Sequence, residues 1–171
     1  MPNITLYHGS DRIIQKPLFG YGRPYNDFGS GFYCTQAPEL AKEWACTGDS
    51  DGYANCYELQ TDGLNVLNLS DGYTILHWLA LLTHYRKFQL RTPVMRAGYD
   101  YLEHFYLIDL SIYDTVIGYR ADDSYFSFAR AFLSNTISLS QLSFAMHLGK
   151  LGEQFVLKSK KAFGLIEFRS Y

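Results

Sequence analysis

Asp27-Phe28-Gly29-Ser30-Gly31-Phe32-Tyr33-Cys34-Thr35 is the stretch on which the reading of this chain turns. Two glycines flank a serine and lead directly into an aromatic pair. Glycine reaches backbone angles closed to other residues and lets a ligand approach the main chain closely. A β-prone Phe-Tyr pair after them sends one ring to each face of a strand. Two readings follow from these nine residues. One is a Gly-rich turn before a core strand; the other is a loop shaped for a flat or phosphate-bearing ligand.

Upstream, Ile4-Thr5-Leu6-Tyr7-His8-Gly9 alternates apolar and polar residues and stops at Gly9-Ser10-Asp11, which predicts a strand running into a turn. His8 then stands near a strand end, either as a partly exposed polar residue or as a donor to a sugar hydroxyl. Residues 15–30 are rich in Gly, Pro, Tyr and Phe without a period and read as a long loop. It carries Arg23, Tyr25 and Asp27. Arg23 is either an exposed structural arginine or a phosphate contact.

Downstream, Gly31 to Thr35 reads as a strand and Ala37–Cys46 as a helix. Pro38 and Glu39 suit its first turn. Leu40, Ala41, Trp44 and Ala45 share one face, which makes Trp44 a core residue of that helix. Ala54–Gln60 and Leu64–Leu69 read as two strands joined by a hairpin at Thr61-Asp62-Gly63. Asp71 is placed to cap a helix from Tyr73 to Arg86. His77 and His84 on it are seven apart, about 10 Å along the axis, too far to share a metal. A short helix is expected over Ala97–Leu107, a strand over Thr115–Tyr119, and a helix capped by Asp122 or Asp123. Ser138 or Ser140 opens another helix ending at Gly149, and Gln154–Lys158 and Leu165–Phe168 read as strands. Helices between short β segments give an α+β class.

Composition narrows the function. The chain of 171 residues fits one domain, 1–171. A net charge of −2 argues against a broad nucleic-acid face. Three cysteines, Cys34, Cys46 and Cys56, without CxxC spacing read as reduced thiols of a cytoplasmic protein, with no zinc site. No apolar run reaches the roughly 18 residues of a membrane span, and no secretory signal pattern opens the chain. Neither GxGxxG opening a helix nor GxxxxGK[ST] occurs, so Rossmann and P-loop nucleotide binding are not expected.

Three separated pieces resemble one superfamily. Leu6-Tyr7-His8-Gly9-Ser10 resembles the first-strand His-Gly motif of ADP-ribosyltransferases of the diphtheria toxin and poly(ADP-ribose) polymerase branch. Phe28-Gly29-Ser30-Gly31-Phe32-Tyr33 is similar to its second motif, and the helix reaching Trp44 falls at the family's position. Glu153-Gln154-Phe155-Val156-Leu157 stands where that branch has a Glu at the start of a late strand. More narrowly, Asp114–Gly118 and Gln154–Ser159 match later segments of a family of small bacterial proteins assigned to this superfamily.

The resemblance implies an ADP-ribosyltransferase-like split, twisted β core with NAD as substrate in its cleft and no metal. By analogy His8 contacts the adenosine ribose, Gly9 pairs with the nicotinamide amide through its backbone, and Tyr33 stacks on the nicotinamide ring. Trp44 supplies the opposite face, and Ser10, Gly31, Phe32 and Arg23 complete the NAD contacts. Two residues compete for the third catalytic position: the narrow family favours Gln154, the wider branch an acid, which Glu153 supplies. On a regular strand only one of them faces the cleft. If it is Gln154, the protein transfers slowly, uses another acid such as Asp122 or Asp123, or only binds NAD.

The implied function is a toxin-like mono-ADP-ribosyltransferase acting on a macromolecular acceptor, protein or nucleic acid, with a neutralising antitoxin as partner and no membrane. The alternatives are a non-catalytic NAD or ADP-ribose binding module and an RNA 2′-phosphotransferase. The last needs clustered cations, whereas Arg23, Arg91, Arg96 and Arg120 are scattered along the chain.

Overall fold

The computed structural model describes residues 3–121, 123–148 and 152–171. The elements in chain order are β1 (Ile4–Ser10), β2 (Phe32–Cys34), α1 (Pro38–Ala45), β3 (Tyr53–Leu59), β4 (Val66–Asn68), α2 (Ile75–Tyr85) and α3 (Pro93–Phe105). A 3-10 turn at Leu110–Ile112 precedes β5 (Thr115–Tyr119), α4 (Asp123–Leu133), α5 (Leu139–Leu148), β6 (Glu153–Leu157), α6 (Lys160–Gly164) and β7 (Ile166–Ser170). Asp122 and the expected helix end at Gly149 lie outside the described residues.

The class is α+β, with two sheets. One has the order β1-β3-β7 and is antiparallel throughout; the other runs β2-β6-β5-β4, with only β4 and β5 parallel. They are tied at a bridge between β1 and the end of β2, where Tyr7 N–H donates to Thr35 O at 2.8 Å and Thr35 N–H to Tyr7 O at 2.9 Å. Beyond that bridge β1 continues towards Ser10 with β3 as its neighbour, and β2 turns to β6. The sheets part there.

Strand alternation sorts the core. Phe32, Cys34, Phe155 and Leu157 bury into one cluster with Leu6, Tyr57, Leu59 and Ile166 of the first sheet. Val116 and Val156 face the other way, into a second cluster with Phe28 and α2. Trp78, Leu79, Leu81 and Leu82 make α2 apolar around most of its circumference, so it is enclosed, as such a helix must be. Each such side chain, fully buried, stabilises the fold by about 1.5–3 kcal/mol.

Two expectations need correction, and one element adds to them. β3 and β4 do not form a hairpin. The turn is present, with Gly63 at φ +76°, but β3 joins the first sheet and β4 the second. Asn65 is captured by Asp114, whose carboxylate accepts from Asn65 N–H at 2.8 Å, and this steers β4 alongside β5. The cap of α2 is Thr74, not Asp71: His77 Nδ1 accepts from Thr74 N–H at 3.0 Å. The helix α6, capped by Ser159 accepting from Ala162 N–H, was not expected at all.

Candidate functional site

The parting of β1 from β2 opens a cavity of about 1050 Å³. His8 and Gly9 of β1, Gly31, Phe32 and Tyr33 at β2, Trp44 of α1, Gln154 of β6 and Arg23 of the long loop all line it. Its volume is at the upper end of ligand pockets, roughly 300–1,000 Å³, and suits a large ligand.

His8 spans the split. Its Nδ1 lies 2.6 Å from Tyr33 O, and a carbonyl only accepts, so Nδ1 carries the proton. Nε2 is therefore an acceptor, not the donor expected from the sequence. The ring stacks on Phe32 with centroids 4.2 Å apart. Burial lowers its pKa, the bond to Tyr33 only partly opposing this, so the imidazole is neutral near pH 7.

Tyr33 uses its hydroxyl on the opening stretch itself. The phenol oxygen accepts from Phe28 N–H at 3.0 Å and donates to Gly29 O at 2.6 Å. Burial raises its pKa far above the ordinary phenol value. What Tyr33 offers a ligand is its ring. Gly29 has φ +74°, the left-handed region that favours glycine, and Lys158 Nζ straps the turn by donating to Phe28 O and Ser30 O, each at 2.6 Å. Burial brings that amine down to about 8.

Gly9 owes its identity to packing. A Cβ there would sit 2.1 Å from Ala41 O and 2.9 Å from Trp44 Cβ, so the glycine lets α1 lie directly on β1. Trp44 is consequently a cavity wall and only half-buried; Leu40, Ala41 and Ala45 are the buried positions of α1. Arg120 lies over the Trp44 ring at 5.0 Å. The indole Nε1 is buried without a hydrogen-bond partner.

The competition between Glu153 and Gln154 is decided by strand parity. Gln154 is buried and lines the cavity; Glu153 is exposed, outside it, and accepts from Ser70 Oγ at 2.8 Å. Ser10 also lies outside the cavity lining, its hydroxyl engaged with Asp11 and with Arg12 N–H.

The residue the sequence reading passed over is Asp27. It is buried on the cavity wall and accepts three hydrogen bonds: from Arg86 Nη1 at 3.0 Å on Oδ1, and from Ala121 N–H at 2.8 Å and Gln154 Nε2 at 2.9 Å on Oδ2. Burial raises its pKa, and the bonds from Ala121 and Gln154 and the charges of Arg86 and Arg120 work against that rise. Because Gln154 gives its amide nitrogen to Asp27, its Oε1 is left as the acceptor. The available signal was a carboxylate directly before Phe28-Gly29 in a loop that otherwise has none back to Arg12.

The scattered arginines converge as well. Arg23 and Arg120 meet Arg12, Lys16 and Arg86 on the cavity, where Asp27 is the one carboxylate among the described residues; Arg91 and Arg96 stay outside. Such a lining suits an anionic ligand with flat parts. No group of three or more potential metal-ligating side chains gathers among the described residues, and among them no helix is long and apolar enough to cross a membrane.

These features define an α+β protein with a cationic, aromatic-walled cavity between two parting sheets. The chain belongs to the family described as protein of unknown function DUF3990, which it matches over residues 4–168. Neither the curated proteins nor the solved structures include a match.

Proposed function

We propose that this protein is an NAD-dependent mono-ADP-ribosyltransferase that moves ADP-ribose to a macromolecular acceptor. The observation that carries the reading is that His8, Tyr33 and Gln154, from three strands, line one cavity where two sheets joined at the Tyr7–Thr35 bridge part. That split also supports an ADP-ribosyltransferase-like reading of the fold.

In this account the cations hold the diphosphate of NAD, and His8 Nε2 accepts from a ribose hydroxyl. The Tyr33 ring packs on the nicotinamide, a flat cation attracted to an aromatic face. Gln154 Oε1 accepts from a hydroxyl of the second ribose. The glycosidic C–N bond breaks, nicotinamide leaves with the electron pair, and the ribose becomes oxocarbenium-like. The oriented Gln154 dipole, with the Asp27 carboxylate one hydrogen bond behind it, stabilises that charge. The acceptor nucleophile then bonds the same carbon and gives its proton to water.

One observation favours a second reading, a non-catalytic NAD or ADP-ribose module: Gln154 is uncharged and Asp27 is committed to Arg86. The gathered cations also remove the argument against RNA 2′-phosphate transfer. Incubation with biotinylated NAD and bacterial lysate tests the choice. The transferase reading expects label on macromolecules, lost in His8→Ala and Tyr33→Ala, and growth inhibition on expression that both substitutions relieve. NAD binding without label transfer favours the module; release of 2′-phosphate from RNA favours the phosphotransferase.

A further inference from the structure

The loop from Arg12 to Asn26 reads Arg-Ile-Ile-Gln-Lys-Pro-Leu-Phe-Gly-Tyr-Gly-Arg-Pro-Tyr-Asn and contains no carboxylate, although the whole chain carries 17 acids against 15 Lys and Arg. It has no helix or strand, and it forms one wall of the cavity through Lys16, Tyr21 and Arg23. Its rings are turned outward. Tyr21 is 82% exposed although it borders the cavity, Tyr25 is 55% exposed and Phe19 47%. Two further cations flank them from elsewhere in the fold: Lys87 Nζ lies 4.0 Å above the Tyr25 ring and Lys160 Nζ 5.7 Å above Phe19. Among the described residues, none of Lys16, Arg23, Lys87 and Lys160 has a carboxylate within ion-pair distance.

Exposed aromatic faces interleaved with cations, at the mouth of a cavity, are what single-stranded nucleic acid needs. Bases stack on the rings and the backbone phosphates meet the cations. An acidic peptide would use the cations but not the flat faces, and a duplex hides its base faces. We propose that this rim is a docking surface for single-stranded nucleic acid. Its role as the acceptor of ADP-ribose rests on the transferase reading; the docking itself does not. The overall net charge of −2 argues against a broad nucleic-acid face beyond such a local patch.

The test is fluorescence anisotropy with labelled mixed-sequence RNA and DNA strands of about 12 nucleotides, in the range one such surface covers. Binding is expected at ~50 mM salt and should weaken steeply by ~200 mM. Tyr21→Ala and Phe19→Ala, both on exposed side chains, should each weaken it about tenfold. Lys16→Gln and Arg23→Gln should each lower the salt slope by about one, and Lys42→Gln, exposed on α1 and outside the cavity lining, should bind the strands as the native chain does. Absent binding at low salt, equal affinity for a duplex, indifference to Tyr21→Ala, or displacement by a poly-glutamate peptide would overturn the proposal. Strand binding without nicotinamide release supports the docking and sinks the transferase reading; nicotinamide release without strand binding overturns the docking.

Discussion

Gln154 Nε2 donates to Asp27 Oδ2 at 2.9 Å across 127 residues of sequence, and this bond sets which end of the Gln154 amide meets a ligand. With its nitrogen held by a carboxylate, the side chain is an acceptor. Asp27 in turn is held by Arg86 and by the Ala121 N–H. The pair therefore acts as one unit, a negative charge on the cavity wall one hydrogen bond behind the Gln154 amide.

Moving that charge tests the unit. Gln154→Glu alone sets two carboxylates where one hydrogen bond was, and should cost about 3 kcal/mol of stability, with one carboxyl forced to stay protonated. The double variant Asp27→Asn with Gln154→Glu restores a donor facing an acceptor between the two side chains and keeps the total charge, but the amide nitrogen stands where Oδ2 accepted from the Ala121 N–H, and that bond is lost. It should recover part of the melting temperature lost in the single variant, the unsatisfied Ala121 N–H costing about 1–3 kcal/mol, and release nicotinamide at least as fast as the native chain. Thermal melts and chromatography of the products measure both; a double variant no better than the single one would separate Asp27 from Gln154.

Tyr33 has two jobs that substitutions can part. Tyr33→Phe loses the bonds to Phe28 N–H and Gly29 O, which should destabilise by about 1–3 kcal/mol through the unsatisfied amide, yet keep the ring. Tyr33→Ala removes the ring as well and should cost about 3–5 kcal/mol. NAD affinity measured by calorimetry should survive the first change and fall at least tenfold in the second.

His8 gives the pH dependence. Its folded pKa lies below 6.5 because burial disfavours the cation. Between the lowered value and 6.5 the unfolded chain binds more protons, so stability falls as pH drops through that window. The advantage of the native chain over His8→Gln in thermal melts should narrow from pH 7.5 to pH 5. A gap that stays constant would show that His8 does not carry the effect.

Gly9→Ala tests the packing of α1. The added methyl meets the Ala41 carbonyl at 2.1 Å, so the helix must retreat and take Trp44 with it. A loss of about 1–3 kcal/mol is expected by thermal melts, with a change in Trp fluorescence that a distant substitution would not give.

Much of this was readable from local pattern. The alternation of Ile4-Thr5-Leu6-Tyr7 gave β1, the Pro38-Glu39 start gave α1, and the period of two in Gln154-Phe155-Val156 placed its residues on opposite faces. What escaped was long-range. Asp27 looks like any loop carboxylate until Arg86 and Gln154 close on it. Arg12, Arg86 and Arg120 stand more than 30 positions apart from one another and meet only because β1, α2 and β5 end at the same cavity. The Asp62-Gly63 turn is real, but Asn65 binds Asp114 and takes β4 to the other sheet. The helix α6 is only five residues long, too short for a periodic signal.

The central claim is that this cavity breaks the bond between nicotinamide and ribose. The direct measurement is the release of nicotinamide from NAD by the purified protein, followed by chromatography with native chain, His8→Ala and Gln154→Ala in parallel. The account predicts release above the buffer rate, lowered about a hundredfold in Gln154→Ala and abolished in His8→Ala. NAD bound at the cavity with nicotinamide release no faster than in buffer, or release unchanged by both substitutions, would contradict it.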